Sequence, residues 1–361
     1  MEIPKYEQLK QAIKQNIRDG LWEPGDQLPA ENILCKQFGV SKITVKKAKD
    51  DLIAEGVLEN LPGRKGAFIK EKRRMAATDF VGVAIDDIKE LPFADMLKGI
   101  EDQLWQHGLH PILCSTYSDI EKIETYFQAL LQRDVAGVIF TPIKGSSGYQ
   151  ENQRIIEMLT ERQIPYVLLD RYIPDCFVNA VVSNNRYASK ELIAVLIEKG
   201  HTRILLLAGV ECSSRDERVQ GYLDALKEAG LEQDNRLIIR IDDDRLLQDR
   251  KYYQQELERV RGLLEKAGDF TACYPLNMTL QMVIPVIFQA EKNYRKQVEI
   301  VTYDDITKEL SDLTNHVAVV IQPAYRMGWE AAKLLIETIN HPDRPIVQMT
   351  LKSEIIEKVI E

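Results

Sequence analysis

No stretch of this 361-residue chain approaches the ~18 uninterrupted apolar residues that a membrane-spanning helix needs. Its opening segment, MEIPKYEQLK, has no basic region followed by an apolar run. A protein that neither crosses a membrane nor is exported is expected, with the cytoplasm as its location. Cysteine is sparse: Cys35, Cys114, Cys176, Cys212 and Cys273 are odd in number and widely spaced. That pattern offers neither a zinc site nor a disulfide framework and predicts free thiols, mostly buried. GxSxG and GxxxxGK[ST] motifs are both lacking, and the five histidines (His107, His110, His201, His316, His341) show no metal-ligand spacing. Hydrolase, nucleotide-triphosphatase and metalloenzyme chemistry therefore lack their usual residues, and no catalytic residue, cofactor or metal is expected. Repeats and low-complexity tracts are missing too. With 45% hydrophobic and 29% charged residues, the composition is that of an ordinary globular chain of two or three domains.

What the chain does have is unevenly distributed charge. Its formal net charge is -9, yet Met1 to Arg74 hold 15 Lys and Arg against 11 Asp and Glu, a net of +4. The remainder holds 32 against 45, a net of -13. A small basic module attached to an acidic body suggests that the module faces nucleic acid and the body does something else.

In YEQLKQAIKQNI, Tyr6, Leu9, Ile13 and Ile17 recur at helical spacing, and Gly20 is a natural stop. LWEPGDQLPAE supplies a Pro-Gly turn; Pro29 marks the entry to a second helix, with Glu31 in its first turn and Gly39 at its end. Ser41 is placed to cap a third helix whose inner face is Val45, Ala48 and Leu52 and whose outer face is Lys42, Thr44, Lys46, Lys47 and Lys49. Two short helices joined by a tight turn, the second opening with lysines and a threonine, meet the needs of a helix-turn-helix. The first residues of the recognition helix must reach base edges while cations neutralise phosphates. After Gly56, VLENLPGRKGAFI reads as strand, basic turn, strand, with Gly63 and Gly66 allowing the turn and Arg64 and Lys65 at its tip.

From Tyr6 to Ile69 these motifs resemble the winged-helix domain of the gluconate-repressor (GntR) family of bacterial transcription regulators. The turn GLWEPGDQLPAE, the helix VSKITVKKA and the wing GRKGAFI carry the resemblance. It implies DNA contacts from Lys42, Thr44 and Lys46, with Lys47 beside them on the same face, a contact or positioning role for Glu31, and a wing of Arg64, Lys65 and Gly66. Many members of that family have arginine where this chain has Lys42 and Lys46. Arginine forks onto guanine in two bonds whereas lysine is a point charge, so base discrimination here is expected to be softer or shared with other residues.

KEKRRMAATDF, around residues 70–79, has no apolar periodicity and is read as a linker between a DNA-binding domain, 1–69, and a second region, 80–361. From Phe80 onward, ten short apolar runs alternate with amphipathic helices: VGVAI, HPILCST, VAGVIFTP, IPYVLLD, NAVVS, RILLLAG, RLIIRI, FTACYPL, VEIVTYDD and HVAVVIQP. Fully apolar strands separated by helices predict parallel sheet covered on both faces, and ten strands are more comfortably two sheets than one. The fold class is thus α/β, two lobes of parallel sheet behind an N-terminal winged helix. Ligands of such sheets bind beyond the carboxyl ends of the strands. Candidates there are Phe93, Asp95, Asp170, Arg171, Arg218, Asn277 and Asp304. Carboxylates, an arginine, an amide and an aromatic ring suit a polyhydroxy ligand.

Residues 80–340 also resemble the effector-binding core of the lac-repressor/gal-repressor family, which shares a two-lobed fold with periplasmic sugar-binding proteins. PFADMLKGIEDQLWQHG, IPYVLLDR, SSRDERVQGYLDALKEAG and VEIVTYDD are among the matching segments. The resemblance implies effector contacts from Phe93, Asp95, Asp170, Arg218, Asn277 and Asp304. Met278 stands where that family usually has aspartate, which points to a ligand with fewer hydroxyls, a pentose or a deoxy sugar. The combination of the two domains resembles the arabinose-responsive repressors. It implies a homodimer that binds palindromic double-stranded operator DNA and is released by a small sugar. A phosphorylated or non-sugar effector, and an α/β enzyme acting on sugars, stay open as alternatives.

Overall fold

In a computed structural model of the chain, residues 4–18, 21–22, 25–55, 57–60, 64, 66–69, 78–243, 250–277, 298–304 and 315–357 are described. They fall into two units, Met1–Met75 and Ala76–Glu361. The expected positions Gly20, Gly56, Gly63, Lys65 and Met278, and residues 70–77 of the expected linker, lie outside the described residues.

The first unit contains helices α1 (Lys5–Arg18), α2 (Glu31–Phe38) and α3 (Lys42–Ala54), then strands β1 (Leu58–Asn60) and β2 (Ala67–Ile69). Leu9 and Ile13 from α1, Leu34 from α2, and Val45, Ala48 and Leu52 from α3 form its core, with Tyr6 and Ile17 packed against it. Gly39 closes α2 in the left-handed conformation at φ 63°, its N–H donating to the Cys35 carbonyl, a geometry that is free of steric cost only for glycine. Ser41 then caps α3, its Oγ accepting from the Thr44 N–H at 3.2 Å. The two strands pair antiparallel with Leu58 opposite Ile69 and Asn60 opposite Ala67.

The second unit begins with β3 (Phe80–Ile85), α4 (Leu91–Trp105), β4 (His110–Ser115), α5 (Ile120–Leu131), β5 (Gly137–Phe140), α6 (Gly145–Glu161), β6 (Tyr166–Leu169) and β7 (Ala180–Ser183). It continues with α7 (Asn185–Glu198), β8 (Ile204–Ala208), α8 (Ser213–Glu228), β9 (Ile238–Arg240), α9 (Arg250–Ala267), β10 (Ala272–Pro275), β11 (Glu299–Tyr303) and β12 (Asn315–Ile321). The last elements are α10 (Ala324–Asn340), β13 (Gln348–Leu351) and β14 (Glu354–Glu357). Each of the ten apolar runs is a strand. Two sheets result, ordered β13-β7-β6-β5-β3-β4 and β14-β12-β11-β10-β8-β9. All pairings among their strands are parallel except β12 with β14.

The same strand order in both sheets makes the unit two similar lobes, and the chain passes between them after β7, after β12 and after β13. Hydrogen bonds tie these passages together: Ser183 Oγ donates to Gln322 Oε1 at 2.8 Å, Asn184 N–H to the Leu351 carbonyl at 2.9 Å, and Ser353 N–H to Asn184 Oδ1 at 2.8 Å. Because α10 returns to the first lobe, it packs on α4 so closely that a Cβ on Gly328 would lie 1.8 Å from the Met96 carbonyl oxygen. Only glycine permits that contact.

Candidate functional site

The carboxyl ends of the strands in the two lobes face a cavity of about 40 Å³. Its lining includes Asp86, Glu90, Phe93, Lys144, Asp170 and Arg171 from the first lobe and Ser214, Arg215, Arg218, Asn277 and Asp304 from the second, with Gln322 from the passage between them. The lobes are closed over it: the Tyr172 N–H donates to Ser213 Oγ at 2.9 Å, the Tyr172 hydroxyl to Glu217 at 3.0 Å, and the Gly145 N–H to the Glu211 carbonyl at 2.9 Å.

Asp170 ends β6 and Asp304 ends β11, the same place in each sheet. Both adopt the left-handed conformation, at φ 68° and 63°, where aspartate is tolerated better than most side chains. Each anchors to the neighbouring strand, Asp170 N–H to the Val181 carbonyl at 2.9 Å and Asp304 N–H to the Val320 carbonyl at 2.8 Å. Between them Arg218 projects from the second turn of α8. Its Nε donates to Asn185 Oδ1 at 2.9 Å, its Nη1 to the Leu276 carbonyl at 2.7 Å, and its guanidinium lies 3.4 Å from the centroid of the Tyr303 ring. Such a clamp leaves the arginine one orientation.

Asp304 accepts from the Gln322 amide at 2.8 and 2.9 Å, and Gln322 in turn accepts from Ser183, so the carboxylate is wired to the interlobe passage. Burial pushes the Asp304 carboxyl up to about 6, with Asp170 adding to the rise while Arg218 and Gln322 oppose it. Glu90, at the entry to α4, rises to about 7 through burial and the nearby Asp86 charge. Asp86 behaves oppositely. Burial alone would raise it, but Arg171 at 2.9 Å and Lys144 at 3.1 Å hold its carboxyl well below the usual range. In the second lobe Arg215 grips Asp243 at 2.7 Å, and Asp243 accepts from the Asn277 amide at 2.8 Å, which fixes that amide at the cavity edge.

Of the expected effector contacts, Phe93, Asp170, Arg218, Asn277 and Asp304 come together here. Asp95 does not: it lies on the exposed face of α4, two residues from Phe93 and so turned about 200° from it. Reading the sequence missed Asp86, Glu90, Lys144, Arg215 and Gln322. Asp86 and Gln322 carried a usable signal, since each directly follows an apolar run. Across Arg171 a second cavity of about 150 Å³ has aromatic and aliphatic walls, among them Ile143, Tyr149, Tyr172 and Ile173.

In the first unit Lys42, Lys46 and Lys47 are exposed and have no carboxylate within ion-pair distance among the described residues; Lys47 sits over the Tyr6 ring at 3.9 Å. Thr44 is half-buried, its hydroxyl 2.9 Å from that of Ser41. Glu31 is bound to Lys49 at 2.9 Å, and this hydrogen bond lowers its carboxyl. Arg64 is exposed, 5.8 Å from the Phe68 ring, and Gly66 adopts φ 103°. No helix among the described residues is long and apolar enough to cross a membrane.

Comparison with known proteins matches residues 78–355 to the family described as periplasmic binding proteins and sugar binding domain of LacI family, and residues 5–69 to bacterial regulatory proteins, gntR family. The chain is similar to the arabinose metabolism transcriptional repressor of Geobacillus stearothermophilus, 24% identical over 344 residues, with 94% of this chain and 92% of that protein covered. Among solved structures, a transcriptional regulator CelR–cellobiose complex aligns with a TM-score of 0.64 at 25% identity, covering 88% of this chain and 90% of that one. The transcription regulator CcpA of Lactococcus lactis aligns with a TM-score of 0.64 at 23% identity, covering 77% and 97%, and speaks for the fold alone.

Proposed function

The chain belongs to the family of periplasmic binding proteins and LacI-type sugar-binding domains, joined to a gntR-family regulatory domain, and on that premise we propose that it is a sugar-responsive transcriptional repressor and not an enzyme. Two of its relatives are arabinose metabolism transcriptional repressors by name, and one structural neighbour was solved with a disaccharide. The observation that carries the reading is the Arg218 clamp between two strand-end aspartates. A fixed guanidinium, an Asp304 carboxyl poised to exchange protons and a buried Phe93 wall offer donors, acceptors and an apolar face to one neutral polyol.

Lys42, Thr44, Lys46, Lys47, Arg64, Lys65 and Gly66, with Glu31 as a positioning residue, are assigned to duplex DNA, two chains reading two half-sites as a homodimer. Phe93, Asp170, Arg218, Asn277 and Asp304 are assigned to the effector, and Asp95 is set aside. Sugar binding shifts the equilibrium between lobe arrangements, and coupling of about 1 to 3 kcal/mol suffices to change DNA affinity. The route is the Asp304–Gln322–Ser183 chain of hydrogen bonds, which joins the ligand carboxylate to the interlobe passages.

A thermal-shift screen against pentoses, deoxyhexoses, hexoses, disaccharides and sugar phosphates tests the reading. A ligand at 100 times its dissociation constant adds about 2.7 kcal/mol of stability. A selective shift by a neutral sugar that vanishes in Arg218→Ala is expected. A shift produced only by phosphorylated compounds would replace the neutral-sugar reading.

A further inference from the structure

We infer that Ile43 reads the 5-methyl group of a thymine in the major groove and so sets a base preference that the neighbouring lysines cannot impose. This rests on the duplex-binding reading of the first unit. The inner face of α3 is Val45, Ala48 and Leu52, at 1%, 0% and 0% exposure. Residues two apart on a helix are turned about 200° from one another, so Ile43 faces directly away from Val45. It is 83% exposed, more than any other large hydrophobic side chain described. The core of the unit closes without it.

Singly exposed apolar side chains are ordinary on protein surfaces; position sets this one apart. Ile43 is the second residue of α3, two positions after the Ser41 cap, at the end of a recognition helix that meets base edges. Its exposed companions in the first two turns are Lys42, Lys46 and Lys47, so cations that attract phosphates surround an isolated apolar group. The Thr44 hydroxyl is engaged with the cap. Lysine, a flexible point charge, discriminates poorly among bases. Thymine alone shows a methyl group in the major groove, and an apolar side chain is its natural partner. A β-branched side chain, stiff at χ1, makes that contact with little loss of rotamer freedom.

The test uses the full-length protein. Duplexes are enriched from a randomised pool by binding, and each thymine of a bound sequence is then replaced singly by deoxyuridine, which removes only the methyl. One thymine position per half-site should weaken binding about four-fold, the affinity ratio equivalent to one buried methyl group. Ile43→Ala should bind the thymine and uracil duplexes equally, with an unchanged salt dependence because no charge is lost, and with an unchanged melting temperature. Indifference of the wild type to uracil at every position, or undiminished uracil sensitivity in Ile43→Ala, overturns the inference. Failure to enrich any duplex overturns instead the DNA-binding reading on which it rests.

Discussion

The cations of the two units stand in opposite circumstances. Lys42, Lys46 and Lys47 are exposed, without carboxylate partners among the described residues, whereas Arg171, Arg215 and Arg218 are each at most 7% exposed and held by two or more protein groups. Exposed lysines keep their counterions until a polyanion displaces them, so what they gain is affinity with a steep salt dependence and little geometry. Buried arginines have surrendered that freedom. Their desolvation cost is already offset by fixed partners, and what they offer is a rigid donor to a small ligand. The contrast is what divides the chain into a part that finds DNA and a part that senses a molecule.

Removing a buried cation should show the contrast most strongly. Arg218→Ala leaves Asn185 Oδ1 and the Leu276 carbonyl without their donor and removes the cation that opposes the rise of the Asp304 carboxyl; a loss of about 3 to 5 kcal/mol in effector binding is expected by calorimetry, with duplex affinity unchanged. Equal loss of both would erase the division. Next in size is Asp86→Asn, which removes the carboxylate shared by Arg171 and Lys144 and leaves Arg171 only its pair with Asp170. A destabilisation of about 3 kcal/mol should appear in the melting of the second unit, and none in that of the first, by residue-resolved hydrogen exchange.

Titration sharpens the same distinction. Glu90 and Asp304 hold protons in the folded state, to about pH 7 and 6, that the unfolded chain releases nearer pH 4. Their contribution is complete below about pH 4 and is lost as pH rises through those values. Asp86, shifted the other way, contributes above that range and fails only on stronger acidification. Melting of the second unit should therefore fall by a few degrees, to order of magnitude, between pH 5 and pH 7.5. Glu90→Gln and Asp304→Asn should each flatten the dependence; an unchanged slope in both would remove these groups from the account. The smallest effect is assigned to Lys46→Ala. Duplex affinity should fall by less than about ten-fold and the logarithmic salt slope by about 0.9 per subunit, while effector binding stays as it was.

The parts of this arrangement legible in the sequence were those written in contiguous patterns. Strands buried on both faces are uninterrupted apolar runs, which is why β3 to β12 were all recognisable. By contrast β13 and β14 sit at sheet edges with exposed, mixed residues, Gln348–Leu351 and Glu354–Glu357, and have no such signature. Strand ends pointed to Asp170, Asn277 and Asp304 because a parallel sheet presents its ligands there. Asp95 was misplaced for a local reason, since α4 has already begun at Leu91 and helical rotation separates it from Phe93. Pairings between distant residues, such as Arg215 with Asp243 and Arg171 with Asp86, are set by how the strands are ordered in space, and adjacent sequence does not record that order.

On the proposed reading one cleft senses a sugar and the first unit reports it. Its most direct test is to hold a labelled duplex on the full-length protein, follow fluorescence anisotropy, and titrate the sugar that gives the thermal shift. Release of the duplex from the wild type, with no release from Arg218→Ala at the same concentrations, is the expected result. Saturation of the cleft, verified by calorimetry, with duplex affinity unaltered would contradict it.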